Sequence, residues 1–381
     1  MKSLSAIGVF KLNITTFIHP SRTLTPCSGV GRHMNNLLLA MHQLQEVDLS
    51  LLFARQWLDG SKRLPVNTPL RNLPYTTFLF PERLIERSWK SFGLPTMDFW
   101  LKDSDWIFAP METHFPTRKV KTAFTLHDIQ AYEEDLPWSG GVVHQKFRRR
   151  WSLWIYKAVK EADLVFTVSE FSRRRIIELL DLPESKVKIS GNAVDPVFLI
   201  QVNQVSPKKV DYPYLAVIGG LRPKKGGHEI LRLAERLEKE GSELKIITWG
   251  ENDPELLVKA RSNKNITCLG MIPDEEMISW LKGAHATLFL SWYEGFGLPV
   301  LEAMACGSPV ICSRLASLPE VAGDAAMLVH PEDAEAILDW ITKLEDENIR
   351  KEWVKKGMKR VGAFSWEQAA NHVITAFKAF G

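Results

Sequence analysis

What is scarce in this sequence narrows its class before any motif is considered. Its 381 residues hold only four cysteines, Cys27, Cys268, Cys306 and Cys312. They form no C-x-x-C pair, so neither a disulfide framework nor a thiolate metal site is expected, and a cytoplasmic setting suits the chain. No apolar run is long enough to cross a bilayer as a helix, and the N-terminus MKSLSAIGVFKLNITTF lacks the apolar core and cleavage site of a secretory leader. Any membrane contact is therefore expected to be peripheral. Nor is there an excess of one charge, because 48 basic residues stand against 45 acidic ones. That balance speaks against nucleic acid as a partner. Low-complexity tracts and internal repeats are also missing.

What remains has the makeup of an ordinary globular protein, 45% hydrophobic and 24% charged. At roughly 100–200 residues per domain, the length argues for two domains. Charge is uneven along the chain. Residues 1–200 carry 26 basic and 20 acidic side chains, whereas the remainder carries 22 and 25. The basic first half would suit contact with something anionic, such as a phosphate-bearing substrate or an anionic membrane surface.

Short apolar runs rich in β-branched residues alternate with amphipathic helical stretches, the pattern of βα units and a mostly parallel sheet. The alternation occurs twice. The first series predicts strands at Phe10–Phe17, with a possible earlier one at Ala6–Phe10, then at Val47–Phe53, Trp106–Ala109, Val120–Leu126, Leu164–Val168 and Lys186–Ile189. The second predicts Tyr214–Ile218, Leu244–Trp249, Ile266–Gly270, Ala286–Leu290, Pro309–Ser313 and Ala326–Val329. Between them Gln201–Pro213 is polar, carries two prolines and reads as a linker. A final amphipathic helix around Trp366–Phe380 places Ala369, Val373, Ala376 and Phe377 on one side. The expected architecture is α/β, with two doubly wound domains facing a cleft. Ligands of such sheets sit outside the carboxyl ends of the strands.

The richest segment is Phe289–Pro319, FLSWYEGFGLPVLEAMACGSPVICSRLASLP. A strand runs into a loop holding Glu294, Gly295, Phe296 and Gly297, and a helix begins at about Leu298 with Pro299 in its first turn. Free amides and the positive end of the helix dipole form an anion site suited to a diphosphate. The glycines flanking Phe296 allow close approach of the main chain to a ligand. Glu302 lies one turn into the helix, where it can accept hydrogen bonds from a vicinal diol such as a ribose. Glu294 points at whatever the diphosphate carries.

With these residues in place, the sequence resembles the family-4 glycosyltransferases, which have two Rossmann-like domains in the GT-B architecture. Glu294 and Glu302 match their E-x7-E signature inside a nearly unbroken family phrase from Tyr293 to Ala326. Other matching segments are SGVGRHMNNLL (Ser28–Leu38), TLHDI (Thr125–Ile129), SEFSRRRI (Ser169–Ile176), GNAVDPVF (Gly191–Phe198) and IGGLRPKKG (Ile218–Gly226). The resemblance implies an N-terminal acceptor domain over 1–203, a donor domain over 206–360, and a C-terminal helix, 361–381, that returns to the first domain. It implies transfer of a sugar from a nucleotide donor to a saccharide or lipid-linked saccharide, with retention of anomeric configuration and no metal or other cofactor.

Residue by residue, the resemblance places Gly29, Gly31, Gly220, Lys224, Lys225, Glu294, Gly295, Phe296, Gly297, Leu298 and Glu302 at the donor. Glu294, His127 and Lys225 become the catalytic candidates. Gly220 stands where many members carry arginine, while Lys224 falls where a subgroup rich in mannosyltransferases carries one. That tilts the donor towards GDP-mannose and the product towards a surface polysaccharide. Trp138, following HDIQAYEEDLPW, and Arg32 are the acceptor candidates. The basic run Lys146–Trp151 is the candidate for anionic lipid. Two other classes, sugar-nucleotide 2-epimerases of the same architecture and non-catalytic nucleotide-sugar binders, fit the glutamates and Lys225 less well.

Overall fold

The computed structural model describes residues 11–25, 28–101 and 103–380, with the side chains of residues 143 and 150 left aside. The possible strand at 6–10 and Cys27 lie outside the described residues. Two parallel sheets organise the chain. The first contains β1 (Leu12–Phe17), β2 (Val47–Ala54), β3 (Tyr75–Phe78), β4 (Trp106–Ala109), β5 (Lys121–Thr125), β6 (Leu164–Thr167) and β7 (Val187–Ile189), in the spatial order 3-2-1-4-5-6-7. The second contains β8 (Tyr214–Ile218), β9 (Lys245–Trp249), β10 (Ile266–Cys268), β11 (Ala286–Phe289), β12 (Val310–Ser313) and β13 (Met327–Val329), in the order 10-9-8-11-12-13. Every pairing is parallel, for example Ile14 with Trp106 and Ala286 with Leu215.

Strands buried on both faces must be apolar throughout, and the fully buried β4 (WIFA) and β8 (YLAVI) are. Helix starts follow local chemistry. Ser28, Ser169 and Ser365 each accept a backbone N–H three residues on, capping the helices Gly29–Leu44, Glu170–Leu180 and Trp366–Ala379. The one strand absent from the sequence expectation is β3. It is a short edge strand paired only with β2, and its first three residues, Tyr75, Thr76 and Thr77, are not buried, so no apolar run marks it.

The C-terminal helix belongs to the first core. Phe377 is fully buried, with ring centroids 4.9 Å from Trp106, 5.5 Å from Phe108 and 5.3 Å from Phe166. Trp366 donates its indole N–H to Val194 O at 2.9 Å. The chain thus crosses to the second sheet and comes back to fill a hole in the first. Both sheets reverse strand order beside their first strand, between β1 and β4 and between β8 and β11. Those two switch points are where a doubly wound sheet opens a crevice at its carboxyl edge.

No helix among the described residues is long and apolar enough to cross a membrane. Cys306 and Cys312 are buried and free, and burial pushes both thiols up to about 12.

Candidate functional site

The two loops flanking the switch point of the second sheet carry the charged groups. β8 runs out into Gly219–Gly226, and β11 runs out into Tyr293–Gly297. Trp292 N–H donates to Lys224 O at 2.9 Å, which stitches the loops together. Lys225 Nζ donates to Glu294 Oε1 at 2.5 Å, with the two side chains only 12% and 14% exposed. Burial pulls Lys225 below its ordinary value, and Glu294 only partly offsets this. Burial would raise Glu294, but the ammonium groups of Lys225 and Lys224 more than reverse it and hold the carboxyl below its usual range. The site therefore holds an ionised carboxylate directly against a buried lysine.

The helix Leu298–Ala305 starts directly after Gly297, whose φ of +106° suits glycine, and no side chain caps it. Pro299 has no N–H and Val300 N–H donates to Gly297 O at 3.0 Å, so of the first three residues only Leu298 offers an amide to a ligand. Glu302, on this helix, is buried, and among the described residues no hydrogen bond reaches its carboxylate. Burial pushes its pKa up to about 7; Arg32 opposes the shift, while Asp274 and Asp195 add to it.

Facing this edge is the carboxyl edge of the first sheet. His127 follows β5; its backbone N–H donates to Glu112 Oε1 at 3.0 Å, and its ring Nε2 lies 3.3 Å from Pro110 O. His33 meets that ring edge-on, with centroids 4.7 Å apart and planes at 89°. His33 is fully buried, and burial, followed by the field of His127, holds its pKa well below the ordinary value. The neighbouring Asp128 is raised by burial against the pull of Lys224 from the other domain.

The edges touch. A Cβ on Gly295 would fall 2.0 Å from His127 O, so only glycine permits this approach. Ser169 and Ser172 donate their hydroxyls to Gly295 O at 2.6 and 3.1 Å. Glu320 of the second domain accepts Glu170 N–H and Phe171 N–H at 2.8 and 3.0 Å, covering the start of a helix in the first. Tyr293 donates to Glu133 Oε1 at 3.0 Å, and Arg175 holds both oxygens of the same carboxylate at 2.9 and 2.6 Å. Glu294 is thus flanked by two residues anchored to the opposite domain.

Two family models cover this arrangement between them. One, described as Glycosyltransferase Family 4, matches residues 27–198, and the other, Glycosyl transferases group 1, matches residues 201–360. The chain belongs to the family-4 glycosyltransferases. Among its relatives, the O-antigen chain mannosyltransferase B of Escherichia coli is 28% identical over 93% of this chain and 96% of its own length. The MMP alpha-(1->4)-mannosyltransferase of Mycolicibacterium hassiacum is 27% identical over 60% of this chain and 58% of its own. Sucrose-phosphate synthase from Thermosynechococcus elongatus superposes with a TM-score of 0.70 at 17% identity, covering 97% and 99% of the two chains, a likeness of fold.

Several residues of this glycosyltransferase stand differently from the sequence expectation. Phe296 was expected at the donor, but its ring is buried in the core, edge-on to Phe364 at 5.6 Å. Gly220 is glycine because a Cβ would lie 2.0 Å from Glu251 O, a constraint from its own domain. Gly295 makes its close approach to the opposite domain's main chain. Arg32, an acceptor candidate, pairs with Asp195 at 3.0 Å and with Asp274 across the domain boundary, and stands in the field of Glu302. It lies against the carboxyl edge of the second sheet. Trp138 is half-buried in a turn and does not line the cavity beside His127, whose aromatic residues are Phe147, Trp151 and Trp154.

Other expected positions come together. Gly29 sits against Leu298 across the boundary, a Cβ there lying 3.9 Å from Leu298 Cδ1, while Gly31 is buried in the first turn of its helix. Lys224, Lys225, Glu294, Gly297 and Glu302 share the carboxyl edge of the second sheet. The sequence expectation missed Glu133, Arg175 and Glu320 as clamps, because a charged residue pairing with a distant segment has no local pattern.

Proposed function

We propose that this glycosyltransferase moves a hexose, mannose from GDP-mannose, onto a saccharide or lipid-linked saccharide acceptor with retention, in the synthesis of a surface polysaccharide such as an O-antigen chain. The observation that carries the reading is the Lys225–Glu294 pair beside an uncapped helix start, held against His127 of the facing sheet. The two relatives named for mannosyl transfer support the choice of sugar.

In this reading the diphosphate displaces Glu294 from Lys225 and lies at the positive end of the helix Leu298–Ala305, on the Leu298 amide, with Lys224 beside it. Glu302 accepts hydrogen bonds from the ribose. Glu294, freed from its lysine, turns to the hydroxyls of the transferring sugar, and His127 bounds that sugar from the other domain. The bond between C1 and the phosphate oxygen breaks, the acceptor oxygen forms its bond to C1 on the same face, and the acceptor proton leaves on the departing diphosphate. Fixed cations in a cleft closed to water stabilise that developing charge, so no divalent metal is required.

Peripheral contact with anionic lipid is proposed for the helix Val142–Glu161, which exposes Lys146 and Arg149 near Val142 and Leu153. Flotation with anionic vesicles at low salt tests it, and protein left at the bottom of the gradient removes it. The donor is tested by a thermal-shift screen of GDP-, UDP- and dTDP-sugars, since a ligand of the folded state raises its apparent stability. GDP-mannose should give the largest shift, and a larger one from a UDP-sugar would replace it.

A further inference from the structure

The switch point of the first sheet holds its own cavity. β1 runs out to His19 and β4 to Glu112, and between these exits lies a space of about 470 Å³ with His127 and Asp128 in its lining. Small-molecule sites commonly enclose about 300–1,000 Å³. All of its lining residues come from the first domain, and three of them, Val30, His127 and Asp128, belong to segments that touch the second.

Its walls differ in kind. The helix Val142–Glu161 contributes Phe147, Trp151 and Trp154, whose i, i+4, i+7 spacing sets them on one face. Such a face normally enters a core, but here all three rings stay half-buried along the cavity. Lys90 holds its ammonium 4.9 Å from the centre of Trp154, whereas Trp151 meets only the tilted ring of Phe147 among the aromatic and cationic contacts of the described residues. Opposite stands Glu86, with one carboxylate oxygen 3.1 Å from His19 Nε2, while His19 Nδ1 lies 2.5 Å from Glu82. With a carboxylate on each nitrogen, that imidazole is a clamped ion pair, and neither nitrogen is left for a metal.

The polar groups are mixed in sign. Arg22 and Lys90 stand among Glu86, Glu112 and Asp128, so an anion would meet carboxylates and a lipid tail would meet charges. A polyol finds donors and acceptors on every side. His114 has a side chain only 7% exposed, and neither of its ring nitrogens has a hydrogen-bond partner; the nearest carboxylate, Glu161, is 3.7 Å away. Both nitrogens are closed to solvent, so His114 bounds the cavity without offering it a hydrogen bond.

We propose that this cavity seats an uncharged hexose, the terminal unit of the acceptor, with its ring face on Trp151 and its hydroxyls on Glu86 and Glu112. The assignment rests on the glycosyl-transfer reading and replaces Trp138 as the acceptor's aromatic contact.

Saturation-transfer NMR on the full chain, with methyl glycosides of mannose, glucose and N-acetylglucosamine as probes, tests binding without any donor. At least one glycoside should bind, inorganic phosphate should not compete, and Trp151→Leu should weaken binding about tenfold while Trp151→Phe retains most of it. Glu86→Gln should weaken it less. In transfer assays, Trp151→Leu should raise the acceptor KM and leave the donor KM within about twofold. No bound glycoside, competition by phosphate, or equal affinity in Trp151→Leu and wild type would overturn the assignment. If the wild type binds a methyl glycoside yet neither hydrolyses nor transfers any nucleotide sugar, the glycosyl-transfer reading fails and the sugar site stands.

Discussion

The two sheets have the same winding and open their crevices at equivalent places, yet they furnish those places in opposite ways. The second sheet ends in ionised groups held close together, Lys225 on Glu294, with an uncapped helix start beside them. The first ends in aromatic rings, a histidine backed by a second, uncharged histidine, and carboxylates standing among cations. In the reading proposed above, the edge of the second sheet takes a ligand of high charge density and that of the first a polar ligand without net charge. Strand topology fixes where a ligand goes, and the side chains at each edge decide which ligand it is.

The contrast is tested most severely at Glu294. Glu294→Gln should lower kcat about 100- to 1,000-fold and leave the donor Kd within a few fold, as measured by initial rates beside titration calorimetry. Turnover close to wild type would remove the distinction between the edges.

Tyr293→Phe removes a hydrogen bond to a buried carboxylate, an interaction worth about 1.5–3 kcal/mol. The expected fall in kcat is about tenfold or more, because the residue before Glu294 loses its hold on the first domain. Glu133→Gln should be non-additive with it in a double-mutant cycle. Strict additivity would mean that the clamp does not act as a unit.

Acidity sharpens the comparison further. Glu302 has its pKa raised to about 7 in the unliganded protein. It must be ionised to accept both ribose hydroxyls, so donor binding should release a proton at pH 6 and tighten as pH rises through about 7. Glu302→Gln should bind more weakly and lose that dependence, as calorimetry in buffers of different ionisation enthalpy would reveal. The smallest effect is expected from Glu320→Ala, which exposes the helix start at Glu170. The loss should be about 1 kcal/mol, or a few degrees in Tm.

The winding of both domains was legible because their strands are continuous apolar runs between amphipathic helices; only the edge strand Tyr75–Phe78 lacked that mark. The carboxyl edge of the second sheet was legible for a related reason. Glu294 through Glu302 is one contiguous strand, loop and helix, so its geometry follows from local sequence. The first edge is assembled from His19, Glu86, Glu112, His127 and Trp151, which lie on five separate segments, and no spacing in the chain announces that they meet. Trp138 drew attention by its nearness in sequence to His127, whereas the chain turns away there and the aromatic wall comes from the following helix. The packing of Gly220 and Gly295 was hidden for a similar reason: each lies against a carbonyl from a distant segment, Glu251 O and His127 O, that a Cβ would strike.

In the proposed mechanism the fixed cations of the second edge stabilise the departing diphosphate without a metal while the acceptor enters from the first edge on the same face of the sugar. Proton NMR of the product formed by the wild-type enzyme, from an α-linked nucleotide sugar in the presence of excess EDTA, tests both features at once. An α-linked product formed at the rate seen without chelator is expected; a β-linked product, or transfer that stops with EDTA and returns with a divalent ion, would overturn the mechanism.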